Sequence, residues 1–381
     1  MAIVKMSITP SVLTWAREDA GYTIEDAAKK FPKIAKWESG ESSPTYKQLK
    51  DISNEFSCSI AVFFFPEPPK VEPVKKSFRT LPDAEKKLIP AKIVKLLKKA
   101  QFFQYSIQEL QGLANIQNKY SLANIKLTAH NIREVADNLR KFLKVSIHEQ
   151  INLKNQQDAF KLWRNKIEQC GIYVFKQPFG NDDYSGFCLY DENNPLIYIN
   201  NSNNDVRQTF TLFHEVAHLL LKTGGIDKTK QYHTQGLSNE HAEVICNRFA
   251  AEFLVPDEHF RKEYLNLEAD DETISNIANV YHVSRYVVLR RYLDCGKITP
   301  EFYRKKSAEY EDSFKKVYEK DAKIFLTSYY SQVNYHSTSY LKLIFQSYYN
   351  HIIGENELSE YIPGITNINK FEERYLKSTA T

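Results

Sequence analysis

One segment of the chain, residues 209–221, constrains its fold and chemistry more than any other. It places His214 and His218 four residues apart, so on a helix both imidazoles lie on the same face, one turn apart, and can reach one metal ion. Glu215 follows the first histidine and lies too far round the helix to be a ligand. This HExxH spacing is typical of sites in which two histidines hold zinc and the glutamate acts on water. The alternative is a pair of core histidines that share the spacing by coincidence.

A third ligand distinguishes these two interpretations, because catalytic zinc has three protein ligands and one open position for water. Residues 238–256 carry apolar side chains at helical spacing and end at a proline, which predicts a second helix. Glu243 lies beside the apolar stripe of that helix and can point toward the first helix. Glu240 and His241 are nearby competitors. Gly224 stands where the metzincin pattern requires a third histidine, which excludes that family.

The two ligand helices and the strand before them resemble those of the ImmA/IrrE-type metallopeptidases. The resemblance runs from about residue 171 to residue 256 and departs from the family pattern chiefly at Cys246, where an alanine is usual. The matching segments are Leu196-Ile-Tyr-Ile-Asn200, Arg207-Gln-Thr-Phe-Thr-Leu-Phe-His-Glu-Val-Ala-His218 and Glu243-Val-Ile-Cys-Asn-Arg-Phe-Ala-Ala-Glu-Phe-Leu-Val-Pro256.

This resemblance implies a zinc-dependent, gluzincin-like endopeptidase, with manganese as a substitute metal. We predict that His214, His218 and Glu243 hold the metal and that Glu215 is the general base, which takes a proton from water and later delivers it to the leaving amine. Proteins similar to this one relieve repression by cutting a partner transcription factor, usually a helix-turn-helix repressor. The residues alone imply only hydrolysis of a peptide bond.

Three short runs rich in β-forming residues precede the first ligand helix: residues 171–175, 186–190 and 196–200. They predict a three-stranded antiparallel sheet over that helix, whose edge strand could pair with an extended peptide substrate. We predict substrate contacts from Asn200 at the end of the last strand, from Arg207, and from His233 in the loop between the ligand helices. A surface salt bridge is the more frequent role of such an arginine, and a lone loop histidine is more often simply exposed.

Composition and turn residues divide the chain into five parts. Residues 1–68 predict a helix-turn-helix bundle, 69–80 a linker, 81–170 a helical connecting region, 171–300 the metallopeptidase domain and 301–381 a helical C-terminal region. The predicted fold class is therefore α+β and mainly helical.

The N-terminal bundle has four short amphipathic segments, and its residues 37–49 resemble the XRE-type DNA-binding domains that often precede ImmA/IrrE-type catalytic domains. The pattern departs in length, since few residues between Ala28 and Trp37 are left for the end of the second helix, the turn and a recognition helix. Acidic residues also match basic ones in number, so no phosphate-binding face is evident. DNA binding and protein contact by a degenerate bundle both stay open for this domain.

Charge and cysteine content bound the environment of the protein. A formal net charge of +4 over 381 residues is too slight to indicate a polyanion partner. The five cysteines are odd in number and far apart, with no C-x-x-C pair, which is typical of reduced core residues. The N-terminus lacks a signal sequence, and the longest apolar run, residues 60–65, is too short to span a bilayer. We therefore expect a soluble, cytoplasmic protein with no membrane partner.

Two further features follow the ligand helices. Residues 274–293 predict a helix, a turn and a second helix that carries Arg285, Arg290 and Arg291. This element is either a second nucleic-acid or protein-docking element or the structural closure of the catalytic domain. Residues 305–381 are rich in tyrosine, which suits a partner interface.

The alternative function belongs to a different class. It is a DNA-binding regulator or antitoxin-like module whose metallopeptidase fold serves as a sensor or scaffold and no longer cuts. The N-terminal bundle supports this alternative. The intact His214, Glu215, His218 and Glu243 oppose it, because a scaffold has no need of a general base.

Overall fold

The computed structural model describes residues 5–70, 89–181, 183–222, 226–228, 242–321, 333–363, 365 and 367–379. Most of these residues are helical and one small sheet interrupts the helices, so the predicted α+β, mainly helical class is confirmed. Contacts along the chain define two units, Met1–Phe103 and Gln104–Thr381. Within the described part of the chain, no helix combines the length and the apolar character needed to cross a membrane.

The first unit begins with four short helices: α1 Pro10–Asp19, α2 Ile24–Lys30, α3 Ile34–Glu38 and α4 Tyr46–Phe56. Threonines start two of them. The Thr23 side chain accepts a hydrogen bond from Asp26 N, and Thr45 forms a full capping box with Gln48. The apolar faces of the four helices share one core. The four predicted helical segments are confirmed, while their XRE-type identity stays a prediction.

Five helices and three strands lead to and include the first ligand helix: α5 Ala91–Ala114, α6 Ile132–Leu143, α7 Ile147–Ile151, α8 Gln156–Gln169, β1 Tyr173–Gln177, β2 Tyr184–Leu189, β3 Leu196–Asn200 and α9 Asp205–Leu220. The remaining elements are β4 Ile226–Lys228, α10 Ala242–Leu254, α11 Asp257–Glu263, α12 Asp271–Tyr281, α13 Arg285–Asp294, α14 Pro300–Asp321, α15 Thr338–Tyr349, α16 Glu355–Tyr361 and α17 Ile368–Thr379. Helix α10 carries the predicted third ligand.

The sheet has four strands in the order β1-β3-β2-β4. Strand β3 lies antiparallel to β2 but parallel to β1, with Tyr173 opposite Leu196, so the prediction of an all-antiparallel sheet was wrong in this detail. The reason is topological. The chain returns from β2 to the space beside β1 and inserts β3 between them, which the strand patterns alone do not specify. Both edges of β3 are therefore occupied, and the strand that ends at Asn200 is not an edge to which a peptide could add.

Helix α8 fixes the C-terminal region to the rest of the second unit through a buried ion pair. Arg164 Nε lies 3.6 Å from Glu168 Oε1, one turn further along the helix. The guanidinium also donates to the carbonyl oxygens of Asn334, His336 and Val174, and Glu168 accepts from the backbone N–H of Thr338 at the start of α15. The buried charges are thus compensated by one another and by backbone groups, as burial requires.

The C-terminal end of α10 is held by two buried polar side chains from α6 and α7. Arg140 Nη1 donates to the carbonyl oxygen of Phe253 at 2.8 Å and to Gln150 Oε1 at 2.9 Å. Gln150 in turn donates to the carbonyl oxygens of Leu254 and Tyr281, each at 2.9 Å. The last carbonyls of a helix lack partners inside the helix, so these bonds satisfy groups that burial would otherwise leave unpaired. Burial lowers the pKa of Arg140 to about 10.

We expect Arg140→Met to loosen the end of α10. The replacement keeps much of the apolar volume but leaves the Phe253 carbonyl and Gln150 Oε1 without their donor, at a cost of about 2–4 kcal/mol. Native-state hydrogen exchange of the α10 amides would measure this loss as a lower free energy of local opening. Lys141→Met, at the exposed neighbouring position of α6, should leave that free energy within about 0.5 kcal/mol. Equal protection in the two variants would contradict the prediction.

Candidate metal centre

Helix α9 carries the HExxH residues through the interior of the second unit. Asn204 starts the helix, because its side chain accepts a hydrogen bond from Arg207 N at 2.9 Å. Further along, His214, Glu215 and His218 are almost completely buried, with exposed fractions of 1%, 0% and 0%. Three polar side chains this deep in a core require partners, so their neighbours decide what the site can do.

Glu243 of α10 faces both histidines of α9. Its Oε2 lies 3.2 Å from His214 Nε2, and its Oε1 lies 3.2 Å from His218 Nε2. The two Nε2 atoms are 3.1 Å apart. One ligand atom from each residue can be chosen so that all three lie within 4.8 Å of one another. The structure therefore brings the three predicted metal ligands together around one point.

The spacing of these donor atoms fits a small divalent metal. Zinc binds imidazole nitrogen and carboxylate oxygen at about 2.0–2.2 Å with tetrahedral geometry, which puts neighbouring donors about 3.3–3.5 Å apart. The observed separations of 3.1–3.2 Å are within a few tenths of an ångström of that value. Two imidazoles and one carboxylate are also the donor set of catalytic zinc sites, which keep the fourth position open.

The charge state of Glu243 suits a ligand. Burial would raise the pKa of this carboxyl, but the imidazoles of His218 and His214 favour its charged form and hold the pKa well below its usual range. The carboxylate is therefore deprotonated at neutral pH, as metal binding requires.

Glu215 lies on a different side of α9, against strand β2. A Cβ atom built on Gly186 of β2 would be 3.5 Å from Glu215 Oε1 and 2.5 Å from Thr211 Cγ2. The contact with Thr211 means that the strand can approach α9 this closely only because residue 186 has no side chain. Glu215 is thus next to the ligands in sequence but separate from the three-residue ligand cluster, as expected of a general base.

An aromatic cluster behind the ligands sets the distance between α9 and α10. The rings of Phe213 and Phe253 stack with their centroids 4.0 Å apart. Trp163 of α8 meets both rings edge-on, at centroid distances of 5.3 and 5.2 Å. Phe213 immediately precedes His214, so the packing that joins the helices also orients the start of the HExxH motif.

Asn200 has a structural role in place of the substrate contact that we predicted. The residue is fully buried, and its Oδ1 accepts hydrogen bonds from the backbone N–H groups of Phe179 and Ser202. Its Nδ2 donates to the carbonyl oxygens of Tyr184 and Asn181. All of the hydrogen-bonding capacity of the amide is engaged in holding the turns around β3, which leaves none for a substrate.

The other two predicted substrate contacts are Arg207 and His233. Arg207 lies on the same face of α9 as His214 and His218, and its Nε donates to Ser185 Oγ of β2 at 2.9 Å. It therefore ties the first turn of α9 to β2, and its contact with a substrate stays a prediction. His233 lies outside the described residues, as do Glu240 and His241, the competitors considered for the third ligand.

Several basic side chains of the first unit, including two on α2 and α3, form ion pairs with nearby acidic groups. Lys29 contacts Asp26 at 2.7 Å and Lys36 contacts Glu41 at 3.1 Å. Helix α3, at the recognition-helix position of the predicted motif, has only five residues, two of which are buried core residues. The short helix and the paired charges are weak features for nucleic-acid binding, which needs a long helix face and uncompensated cations.

The helix pair α12–α13 uses its arginines internally. Arg291 is buried and lies 2.8 Å from Glu252, and Arg290 pairs with Asp294 at 2.8 Å. The guanidinium of Arg285 stacks 4.2 Å from the ring centroid of Tyr310. These contacts favour the interpretation of this element as the structural closure of the catalytic domain.

Two residues of the site escaped sequence reasoning. Asn247 contacts His214, since its Oδ1 lies 2.9 Å from Nδ1 and accepts a hydrogen bond from that nitrogen when it carries the proton. A signal for it existed, because it is four residues after Glu243 and therefore on the same helix face. Gly186 was assigned to a strand without a role, since a close approach between strand and helix leaves no mark on strand patterning.

Gly186→Ala should destabilise the second unit. The new Cβ would lie 2.5 Å from Thr211 Cγ2 and 3.0 Å from the carbonyl oxygen of Tyr198, so β2 or α9 must shift at a cost of about 1–3 kcal/mol. Gly112→Ala is the matched control, because its Cβ meets nothing within 4 Å and alanine favours its helix by up to about 1 kcal/mol. Urea midpoints would test this, and a Gly186→Ala midpoint at or above that of Gly112→Ala would refute the proposed close contact.

Comparison with known families agrees with this geometry. No curated protein matches the chain. The family model of the IrrE N-terminal-like domain, Peptidase_M78, matches residues 167–293, about a third of the chain. That stretch contains both ligand helices, the sheet and the α12–α13 pair. The chain therefore carries, in residues 167–293, a domain similar to the Peptidase_M78 metallopeptidases.

Proposed function

We propose that this protein is a metal-dependent endopeptidase that cleaves a protein partner. The observation that carries the proposal is the convergence of His214, His218 and Glu243 beside a fourth buried group, Glu215, that is separate from the ligand cluster. A structural metal site commonly has four protein ligands, whereas three ligands and a neighbouring carboxylate are the minimum for activating water.

The residues divide the chemistry between them. His214, His218 and Glu243 would hold zinc, with manganese as a substitute, and the bound ion would supply a Lewis acid for the scissile carbonyl and the attacking water. Glu215 takes the proton of that water and delivers it to the leaving amine. The low polarity of the surrounding core strengthens each of these interactions, because little bulk water is present to screen them.

The sheet supports a peptide as the substrate. Its edges are β1 and β4, and β4 lies on the β2 side, with Asp227 opposite Gly186. Gly186 in turn approaches Glu215. An extended substrate backbone that adds to the sheet beside β4 would lie one strand beyond the β2–β4 pair, about 10 Å from β2, and backbone pairing of this kind accepts many sequences.

A helix-turn-helix repressor is the substrate that we propose. The support is the resemblance to the ImmA/IrrE-type metallopeptidases together with the Peptidase_M78 match. The alternative, a DNA-binding regulator that does not cut, has one structural observation in its favour: α2 and α3 are short helices joined by a tight turn. The paired charges of that unit make us favour proteolysis.

Substitutions at the site should affect the zinc content and the cleavage rate differently. Glu215→Gln should keep zinc and lose about 10²- to 10⁴-fold in cleavage rate, because only the proton acceptor is removed. His214→Ala and Glu243→Ala should lose zinc, as measured by elemental analysis of the purified proteins. His148→Ala, at an exposed histidine of α7, should keep both zinc and activity. Full zinc retention in the His214 and Glu243 variants would rule out this ligand set.

Incubation of the zinc-loaded protein with candidate helix-turn-helix repressors should produce one or two defined cuts. Intact-mass measurement of the products would locate each cut, and the Glu215→Gln variant should leave the same repressors whole. Absence of cleavage with metal bound, together with sequence-selective and salt-sensitive binding of DNA in a gel shift, would favour the non-cutting regulator.

A further inference from the structure

The imidazole of His214 is contacted on both of its nitrogen edges by side chains from one helix. Its Nε2 lies 3.2 Å from Glu243 Oε2, and its Nδ1 lies 2.9 Å from Asn247 Oδ1. Glu243 and Asn247 are four residues apart on α10, so they project from the same face, one turn from each other. A single helix face therefore offers one group to each side of the ring.

The two nitrogens of the His214 ring must differ in protonation if one of them is to bind a metal. A neutral imidazole carries one proton, and the nitrogen that binds a metal must be the one without it. The amide oxygen of Asn247 can only accept a hydrogen bond, so it favours the tautomer in which Nδ1 carries the proton. That tautomer leaves the lone pair of Nε2 directed toward Glu243 and His218. The opposite amide orientation would donate to Nδ1 and place the proton on Nε2, which would block metal binding.

We propose that Asn247 is a positioning residue that fixes the tautomer and the ring orientation of His214 for metal binding. This inference rests on the proposed metal site. The hydrogen bond at Nδ1 prevents rotation of the ring about its Cβ–Cγ bond, because rotation would break the contact. The orientation is thereby set before any metal arrives, and none of the binding free energy is spent in ordering that ring.

The neutral amide also keeps the charge of the site low. Glu243 already brings one carboxylate to the His214 ring, and an aspartate at position 247 would add a second negative charge from the same helix face. An asparagine provides the acceptor oxygen without that repulsion. Asn247 therefore determines which nitrogen of His214 carries the proton, and Glu243 provides the negative charge beside the ring.

Zinc affinity of three variants tests this role by competition with a chromogenic chelator. Asn247→Leu keeps the approximate volume without an acceptor and should weaken zinc binding by about 10- to 100-fold. Asn247→Asp keeps an acceptor oxygen in the same place and should restore most of the lost affinity. Arg248→Ala, on the exposed face of the same helix, should bind zinc as the natural protein does. A purely structural role would predict no such order between the leucine and aspartate variants.

A second measurement does not depend on the folding of any variant. In the zinc-loaded natural protein labelled with ¹⁵N-histidine, the Nδ1 of His214 should carry a proton and Nε2 should not, as seen from their nitrogen shifts and proton coupling. An unprotonated Nδ1 would overturn the proposal. Zinc binding by Asn247→Leu within twofold of the natural protein would overturn it as well.

These outcomes are distinguishable from failure of the proposed function. If His214→Ala keeps zinc, the metal site itself is wrong and the role of Asn247 falls with it. If His214→Ala loses zinc while Asn247→Leu keeps it, the metal site stands and only the positioning role is lost.

Discussion

The packing of α9 against α10 is the interaction on which the site depends. The three proposed metal ligands come from both helices. Their separation is therefore set by the side chains that hold the helices together, chiefly the stacked pair Phe213 and Phe253 with Trp163 against both. Protein cores are close-packed and do not deform continuously, which makes such a contact a rigid spacer. A misplacement of about 1 Å would carry the donor atoms outside bonding range of one metal ion.

The two glutamates of the site, Glu215 and Glu243, have different surroundings that suit them to different roles. Glu243 faces two imidazoles, which favour its charged form and suit it to the role of a metal ligand that we propose. Glu215, one residue beyond His214, faces the backbone of β2 at Gly186. The turn of the helix between residues 214 and 215 is enough to direct one side chain to the ligand cluster and the next to the strand beside it.

The sequence was informative where the geometry is local. The HExxH spacing and the amphipathic pattern around Glu243 lie within single helices, so periodicity placed all three ligands on facing surfaces. The pairing of the strands was harder to predict from the sequence, because the parallel pairing of β1 with β3 joins segments that are not consecutive along the chain. Asn200 was assigned to substrate since a polar residue at a strand end resembles a binding residue. Its hydrogen-bond partners are backbone groups of Phe179 and of Tyr184 at the start of β2, which no sequence pattern reveals. The spacing from Glu243 placed Asn247 on the same helix face, but its contact with His214 could be found only from the position of the imidazole ring.

The stretch that matches the family model is shorter than the compact unit that contains it, Gln104–Thr381. The matched stretch, residues 167–293, holds Glu168 but excludes Arg164, Trp163 and Arg140, which neutralise that carboxylate, back the aromatic cluster and cap α10. The peptide backbone around residues 334–338 that completes the Arg164–Glu168 pair is excluded too. A fragment cut at the edges of the matched stretch would keep every ligand yet bury a carboxylate without its cation. The ends of the matched stretch therefore cut through contacts that hold one compact unit together, and the flanking helices belong to the same unit as the HExxH motif.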